Sequence, residues 1–82
     1  MIVLKVEFRP YTSYEWATER MTEIGLHYTN VIHANYGSQF MLVSNLNGFH
    51  ALVGISEEQE LQISRDLRLI PQVISVEEHR RT

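Results

Sequence analysis

The chain has 82 residues, of which 44% are hydrophobic and 21% are charged. This composition predicts one small globular domain over residues 1–82. A domain of this size buries only about 60% of its unfolded surface, so a deep cofactor pocket would remove core that the fold needs. The absence of cysteine excludes disulfides, thiolate metal sites and cysteine nucleophiles. The sequence therefore predicts no cofactor and argues against an enzyme with an enclosed active site.

The charge balance argues against a nucleic-acid partner. Ten acidic residues outnumber seven basic ones, and the formal net charge is −3. Nucleic-acid binders carry a basic stripe that neutralises phosphates, whereas the basic cluster here is the Arg80–Arg81 pair alone. The first twenty residues show neither a signal peptide nor a membrane span, which favours a soluble, cytoplasmic protein with no membrane partner.

The N-terminal pattern predicts a strand followed by a helix. Residues 2–8 alternate between apolar and mixed side chains, the period of a strand with one buried face. Pro10 ends this strand, and Thr12 with Glu15 fits a capping box that opens a helix. The apolar stripe of that helix consists of Tyr14, Ala17, Met21 and Ile24. Gly25 stands where a left-handed C-terminal cap is expected.

The middle of the chain predicts strands joined by turns. The tyrosine, threonine, valine and isoleucine content of residues 26–34 favours a strand, and residues 35–38 favour a turn. A short apolar run over residues 39–44 predicts a well-covered strand. The Asn47-Gly48 step then predicts a hairpin, whose second strand covers residues 49–53.

The C-terminal third predicts a second helix and a last strand. Ser56 with Gln59 forms a second capping box, and the following apolar residues repeat at helical spacing: Ile63, Leu67 and Ile70. Pro71 stops this helix, residues 73–76 form the last strand, and residues 77–82 form a charged end.

The element order predicts an α+β domain, a ferredoxin-like split βαβ sandwich with an antiparallel sheet and two helices on one face. The other face stays open unless a partner covers it, and a flat, mixed surface of this kind suits protein docking. The strand alternation places these residues on the open face: Val3, Lys5, Glu7, His50, Leu52, Val73, Ser75 and Glu77.

The sequence shows no pattern that demands catalysis. Its four histidines lack the local spacings typical of metal sites, and no Gly-x-Ser-x-Gly turn presents a serine nucleophile. We therefore expect no metal and no enzymatic activity of the domain itself.

Three segments of the C-terminal half carry a family resemblance. They are Asn47-Gly48-Phe49-His50-Ala51, the helix start Ser56-Glu57-Glu58-Gln59, and Pro71-Gln72-Val73-Ile74-Ser75-Val76-Glu77-Glu78. Over about 40 residues the chain resembles the subtilisin propeptide and proteinase-inhibitor family, whose members show Asn-Gly-Phe-x-Ala and an ending like Pro-x-Val-x-x-Val-Glu-Glu.

The resemblance implies a function and a set of contact residues. It implies that the open sheet face packs on two parallel surface helices of a subtilisin-class protease, and that Glu77 or Glu78 caps those helices. Helix N-termini present unpaired N–H groups that suit a carboxylate. The segment His79, Arg80, Arg81 and Thr82 would then lie in the active site like a product. Lys5, His50, Leu52 and Ser75 would contact the partner from the sheet face.

The residues leave other binding functions open. A second hypothesis is a small acidic protein that binds and regulates a different enzyme. A third is a ligand-sensing regulatory domain of the βαββαβ type. The chain is expected to be a monomer or a homodimer.

Overall fold

The computed structural model describes residues 1–33, 37–46 and 48–82. Within these ranges the secondary structure follows the predicted order of strands and helices, although the strand predicted over residues 26–34 is much shorter than expected. The strands are β1 (Ile2–Phe8), β2 (His27–Tyr28), β3 (Gln39–Asn45), β4 (Gly48–Ile55) and β5 (Val73–Arg81). The helices are α1 (Tyr14–Glu23) and α2 (Glu60–Arg68), and a 3₁₀ turn at Glu57–Gln59 precedes α2.

The strands form one mixed sheet in the order β2-β3-β4-β1-β5. β1 lies between β4 and β5 and pairs antiparallel with both, and β3 pairs antiparallel with β4. The short β2 adds a parallel edge beside β3. The domain is therefore of the α+β class, with a five-stranded mixed sheet and two helices.

The core lies between one face of the sheet and the two helices. The predicted alternation of β1 is confirmed, because Ile2, Leu4, Val6 and Phe8 all belong to a single buried cluster. Both helices contribute to the same cluster, α1 through Ala17 and Met21 and α2 through Ile63 and Leu67. Both helices thus cover the same face of the sheet.

Local capping explains where α1 begins and ends. The predicted capping residue is wrong by one position: Ser13 is the N-cap, and its side chain accepts a hydrogen bond from the Trp16 backbone. Thr12 instead donates its hydroxyl to the Arg9 carbonyl at 2.7 Å. The C-terminal glycine is confirmed, since Gly25 has a φ of +96° and its N–H bonds the Thr22 carbonyl in a left-handed cap.

The strand predicted over residues 26–34 is wrong except for His27–Tyr28. After β2 the chain leaves the sheet edge, and we call residues Thr29–His33 the strap; Ala34 and the first half of the predicted 35–38 turn lie outside the described residues. The buried Gln39 side chain holds the strap through two hydrogen bonds to the His33 backbone, one accepted and one donated. A side chain thus supplies the pairing that a strand would have supplied.

The hairpin, the second capping box and the last strand follow the prediction with different lengths. Asn45 pairs with Gly48 across the hairpin, with Asn47 outside the described residues, and β4 continues to Ile55. The Ser56 N–H donates to Gln59 Oε1 at 3.1 Å, as the capping box requires. The expected end of the last strand at residue 76 is wrong, because β5 continues to Arg81 along β1.

The strap covers one end of the sheet face that carries no helix. Gly54 lies between two core-facing residues of β4 and therefore points to the opposite face. A Cβ atom at Gly54 would lie 2.7 Å from Ile32 Cγ2 and 3.3 Å from Met1 Sδ. The expectation of a wholly open face is corrected at this end, where glycine lets the strap approach the sheet.

Replacing Gly54 by alanine should therefore destabilise the domain by about 1–2 kcal/mol, because the added methyl group displaces Ile32. Urea denaturation measures the loss. In a protein that already carries Ile32→Ala, the Gly54→Ala substitution should lower the free energy of unfolding by a smaller amount. Equal losses in the two backgrounds would contradict the contact.

Candidate functional site

The part of the sheet beyond the strap brings together the sequence-predicted face residues. In the strand register Lys5 pairs with Leu52 of β4 and with Glu77 of β5. Glu7, its neighbour on the same face of β1, pairs with His50 and with Ser75. Residues that are directly opposite each other share a face. These side chains form one continuous surface, which we call the open face.

β3 adds two apolar residues that the sequence analysis did not assign. Met41 pairs with Leu52, and Val43 pairs with His50, so both belong to the open face. Met41, Val43 and Leu52 are each partly buried. The alternation of Met41 and Val43 with Phe40 and Leu42 was the available signal, but a continuous apolar run concealed it.

The charged residues of the open face lie around this apolar centre. Lys5 Nζ and Glu7 Oε1 form an ion pair at 3.2 Å. Glu77 is exposed, and its carboxylate makes no hydrogen bond or ion pair with the described part of the chain. The face therefore offers one carboxylate that an external donor can engage without breaking an internal contact.

Glu78, Arg81 and Thr82, which were also expected to bind a partner, make contacts within the domain. Glu78 pairs with Leu4, which faces the core, so Glu78 lies on the helix side of the sheet. There its carboxylate lies 2.7 Å from Arg81, whose guanidinium also contacts Glu60 of α2 at 2.8 Å. Thr82 hydrogen-bonds the backbone of Met1. The structure thus places Glu78 and Arg81 on the side of the sheet opposite the open face.

Two irregularities interrupt the β1–β5 register, one on each side of the regular segment that contains Glu77 and Glu78. One lies between Val3 and Leu4, where Arg80 pairs with Val3 and His79 is the extra residue. The other displaces Val73, which was expected on the open face: it pairs with Phe8 and packs against the core. A β-bulge inserts a residue and so interrupts the simple alternation.

His50 has a lowered pKa in this environment. Burial, which disfavours the charged imidazolium, is the largest cause of the decrease in pKa from 6.5, and the positive charge of Lys5 is the next. Glu7 acts in the opposite direction, and His79 lowers the pKa further. Because the unfolded chain binds this proton more tightly, His50 reduces stability as the pH falls from 6.5 through its lower folded-state pKa.

The described residues contain no group of three histidine, aspartate or glutamate side chains placed to hold a metal ion. No helix in these ranges is long and apolar enough to cross a membrane. Comparison with family models, with curated proteins and with solved structures finds no match for this chain.

Removing the Lys5 charge should raise the pKa of His50 toward its ordinary value, since a neighbouring cation then no longer opposes protonation. NMR titration of the imidazole resonances in Lys5→Met measures this change. The matched variant Lys5→Arg keeps the positive charge and should leave the pKa of His50 low. A titration midpoint of His50 that is the same in all three proteins would contradict this electrostatic account.

Proposed function

We propose that this domain is a protein-binding module, a propeptide-like inhibitor or folding chaperone of a subtilisin-class serine protease, and that it binds through the open face. The observation that carries the proposal is the grouping of Lys5, His50, Leu52, Ser75 and Glu77 on one face of three adjacent strands. The partly buried apolar residues Met41 and Val43 of β3 lie beside them.

The proposal includes the finer fold assignment. The antiparallel order β3-β4-β1-β5, with a helix after β1 and another after β4, supports a ferredoxin-like arrangement to which β2 adds an extra edge. Such a sheet exposes the face opposite its helices. That face is the surface that the subtilisin propeptide resemblance assigns to the protease.

Glu77 is the proposed anchor. It is the one of the two adjacent glutamates that lies on the open face, and no described residue occupies its carboxylate. A pair of surface helices on the protease would direct unpaired N–H groups and their positive dipole ends toward it. Hydrogen bonds from such donors to a carboxylate are charge-assisted and are stronger than neutral ones.

The proposed contact lies on the sheet face rather than in the C-terminal segment. Residues 79–81 belong to β5, and Arg81 is fixed to Glu60 and Glu78. For this segment to enter an active site, the end of β5 would first have to leave β1. Binding through the open face and Glu77 needs no such rearrangement.

The two glutamates provide a matched test. We expect Glu77→Gln to weaken binding to a subtilisin-class protease by about tenfold, the effect of losing a charge-assisted hydrogen bond. Glu78→Gln should leave binding within about twofold of the unsubstituted domain, because Glu78 lies on the other side of the sheet. Calorimetry with a protease whose catalytic serine is replaced by alanine measures both without cleavage of the domain.

A second substitution tests the apolar centre. Leu52→Glu should abolish the same binding by placing a charge in the contact, while circular dichroism verifies that the sheet still forms. The rate of peptide hydrolysis by the active protease then distinguishes the two roles. An inhibitor lowers this rate, whereas a chaperone that binds away from the active site leaves it unchanged. Absence of binding at micromolar concentrations across several such proteases would refute the proposal.

A further inference from the structure

A second surface lies at the end of the sheet where β1 finishes and the β3–β4 hairpin turns. There the chain forms an open cleft of about 760 Å³, bounded by Pro10 and Tyr11 on one side and by Leu46 and Phe49 on another. Tyr14 also lines it, and none of the described lining residues is charged. An uncharged cleft of this size is notable in a chain with a net charge of −3.

Stacked aromatic rings form the floor of the cleft. The Phe49 ring stacks on Tyr14 with centroids 4.3 Å apart and contacts Phe8 at 5.2 Å. The Tyr14 hydroxyl is fixed by a 2.6 Å hydrogen bond with Ser44 of β3. Because Phe8 and Phe49 are part of the core, the floor is anchored to the folded domain and is already formed before anything binds.

Two fully exposed apolar side chains stand at the rim. Tyr11 and Leu46 have the largest exposed fractions of the large hydrophobic residues in the described ranges. Neither side chain packs in the core. The stability of the fold therefore does not explain why these two positions are large and apolar.

The backbone at Tyr11 strengthens this point. Residues 9–12 form a turn closed by the Thr12 N–H and the Arg9 carbonyl, and Tyr11 has a φ of +68°. This is the pattern of a type II turn, in which that position favours glycine. A tyrosine there strains the backbone while its ring makes no core contact. A broken local preference of this kind indicates a functional position.

The turn holds Tyr11 in a fixed place. The Arg9 N–H donates to the Gln72 carbonyl at 2.8 Å, and Arg9 Nε donates to the Pro71 carbonyl at 3.3 Å. On the other side, Thr12 bonds back to Arg9. The projecting ring is therefore presented by an anchored turn.

We propose that this surface binds a second copy of the chain, with Tyr11 of each protomer inserted into the cleft of the other. A twofold contact requires a self-complementary patch, and this patch combines a projection with a hollow beside it. It is also uncharged, so it can meet its own copy without like-charge repulsion. The Tyr11 ring of one protomer would then contact the Phe49 and Tyr14 rings on the cleft floor of the other protomer.

The size of the patch sets the strength of this dimer. Each aromatic ring buries about 150–250 Å² at most, whereas stable interfaces bury about 800 Å² per partner. A contact centred on Tyr11, Tyr14 and Leu46 is therefore a weak, concentration-dependent one. It leaves the open face uncovered, so each dimer would present two such faces.

Sedimentation velocity of the whole chain from about 10 µM to about 1 mM tests the proposal. The unsubstituted chain should show a weight-average mass that rises toward that of a dimer. Tyr11→Gly should remain monomeric throughout, or dimerise at least about tenfold more weakly. Its thermal midpoint should be equal or higher, because glycine accepts the positive φ.

Control variants separate this contact from general apolar association. Tyr11→Phe should keep the dimer. Leu69→Ser removes another exposed apolar side chain, one that does not line the cleft, and should also keep it. A chain that stays monomeric at the highest concentration, or a Tyr11→Gly variant that associates like the unsubstituted chain, would overturn the proposal.

Discussion

The central position of β1 is the constraint on which the rest of the structure depends. β1 is hydrogen-bonded to β4 and to β5, so it fixes the register of both, and its alternation divides the molecule into two sides. Ile2, Leu4 and Val6 require an apolar cover, and both helices are used to provide it. Among the residues that the structure describes, the strap remains to cover the other face, and it reaches one end of that face. The open face follows from how few elements an 82-residue chain has.

Elements with a regular period could be predicted from sequence, whereas elements that depend on a distant partner could not. β1 and the apolar stripe of α2 have clear periods and lie where they were expected. The strap has the composition of a strand, but the Gln39 side chain bonds its backbone and Ile32 packs at Gly54. The charged end of β5 has no apolar alternation, and its strand structure comes from pairing with β1. In both cases tertiary contacts override local propensity.

The candidate site illustrates the same limit at the level of single residues. Alternation correctly grouped Lys5, His50 and Leu52, because β1 and β4 pair without interruption. On β5 the register irregularity between Glu7 and Phe8 moves Val73 to the core side, whereas Glu77 keeps the face that alternation predicts. A bulge depends on how two strands meet, so no property of the β5 sequence alone locates it. Alternation had already placed Glu77 on the open face, and the structure adds that Glu78 is paired with Arg81 on the other side of the sheet.

The two proposed binding surfaces differ in their charge. The open face combines apolar and charged groups, and its free carboxylate suits a partner with positive helix ends. The cleft is uncharged, and its rim carries a tyrosine in a left-handed conformation that costs about 1–2 kcal/mol for a residue other than glycine. Small domains are stable by only about 5 kcal/mol or a little more, so this cost is a substantial fraction of the total. The Tyr11 ring returns none of this cost through core packing, and hydrogen bonds of Arg9 and Thr12 hold the strained turn in place. The proposed dimer would give the projecting ring a contact that the protomer does not provide.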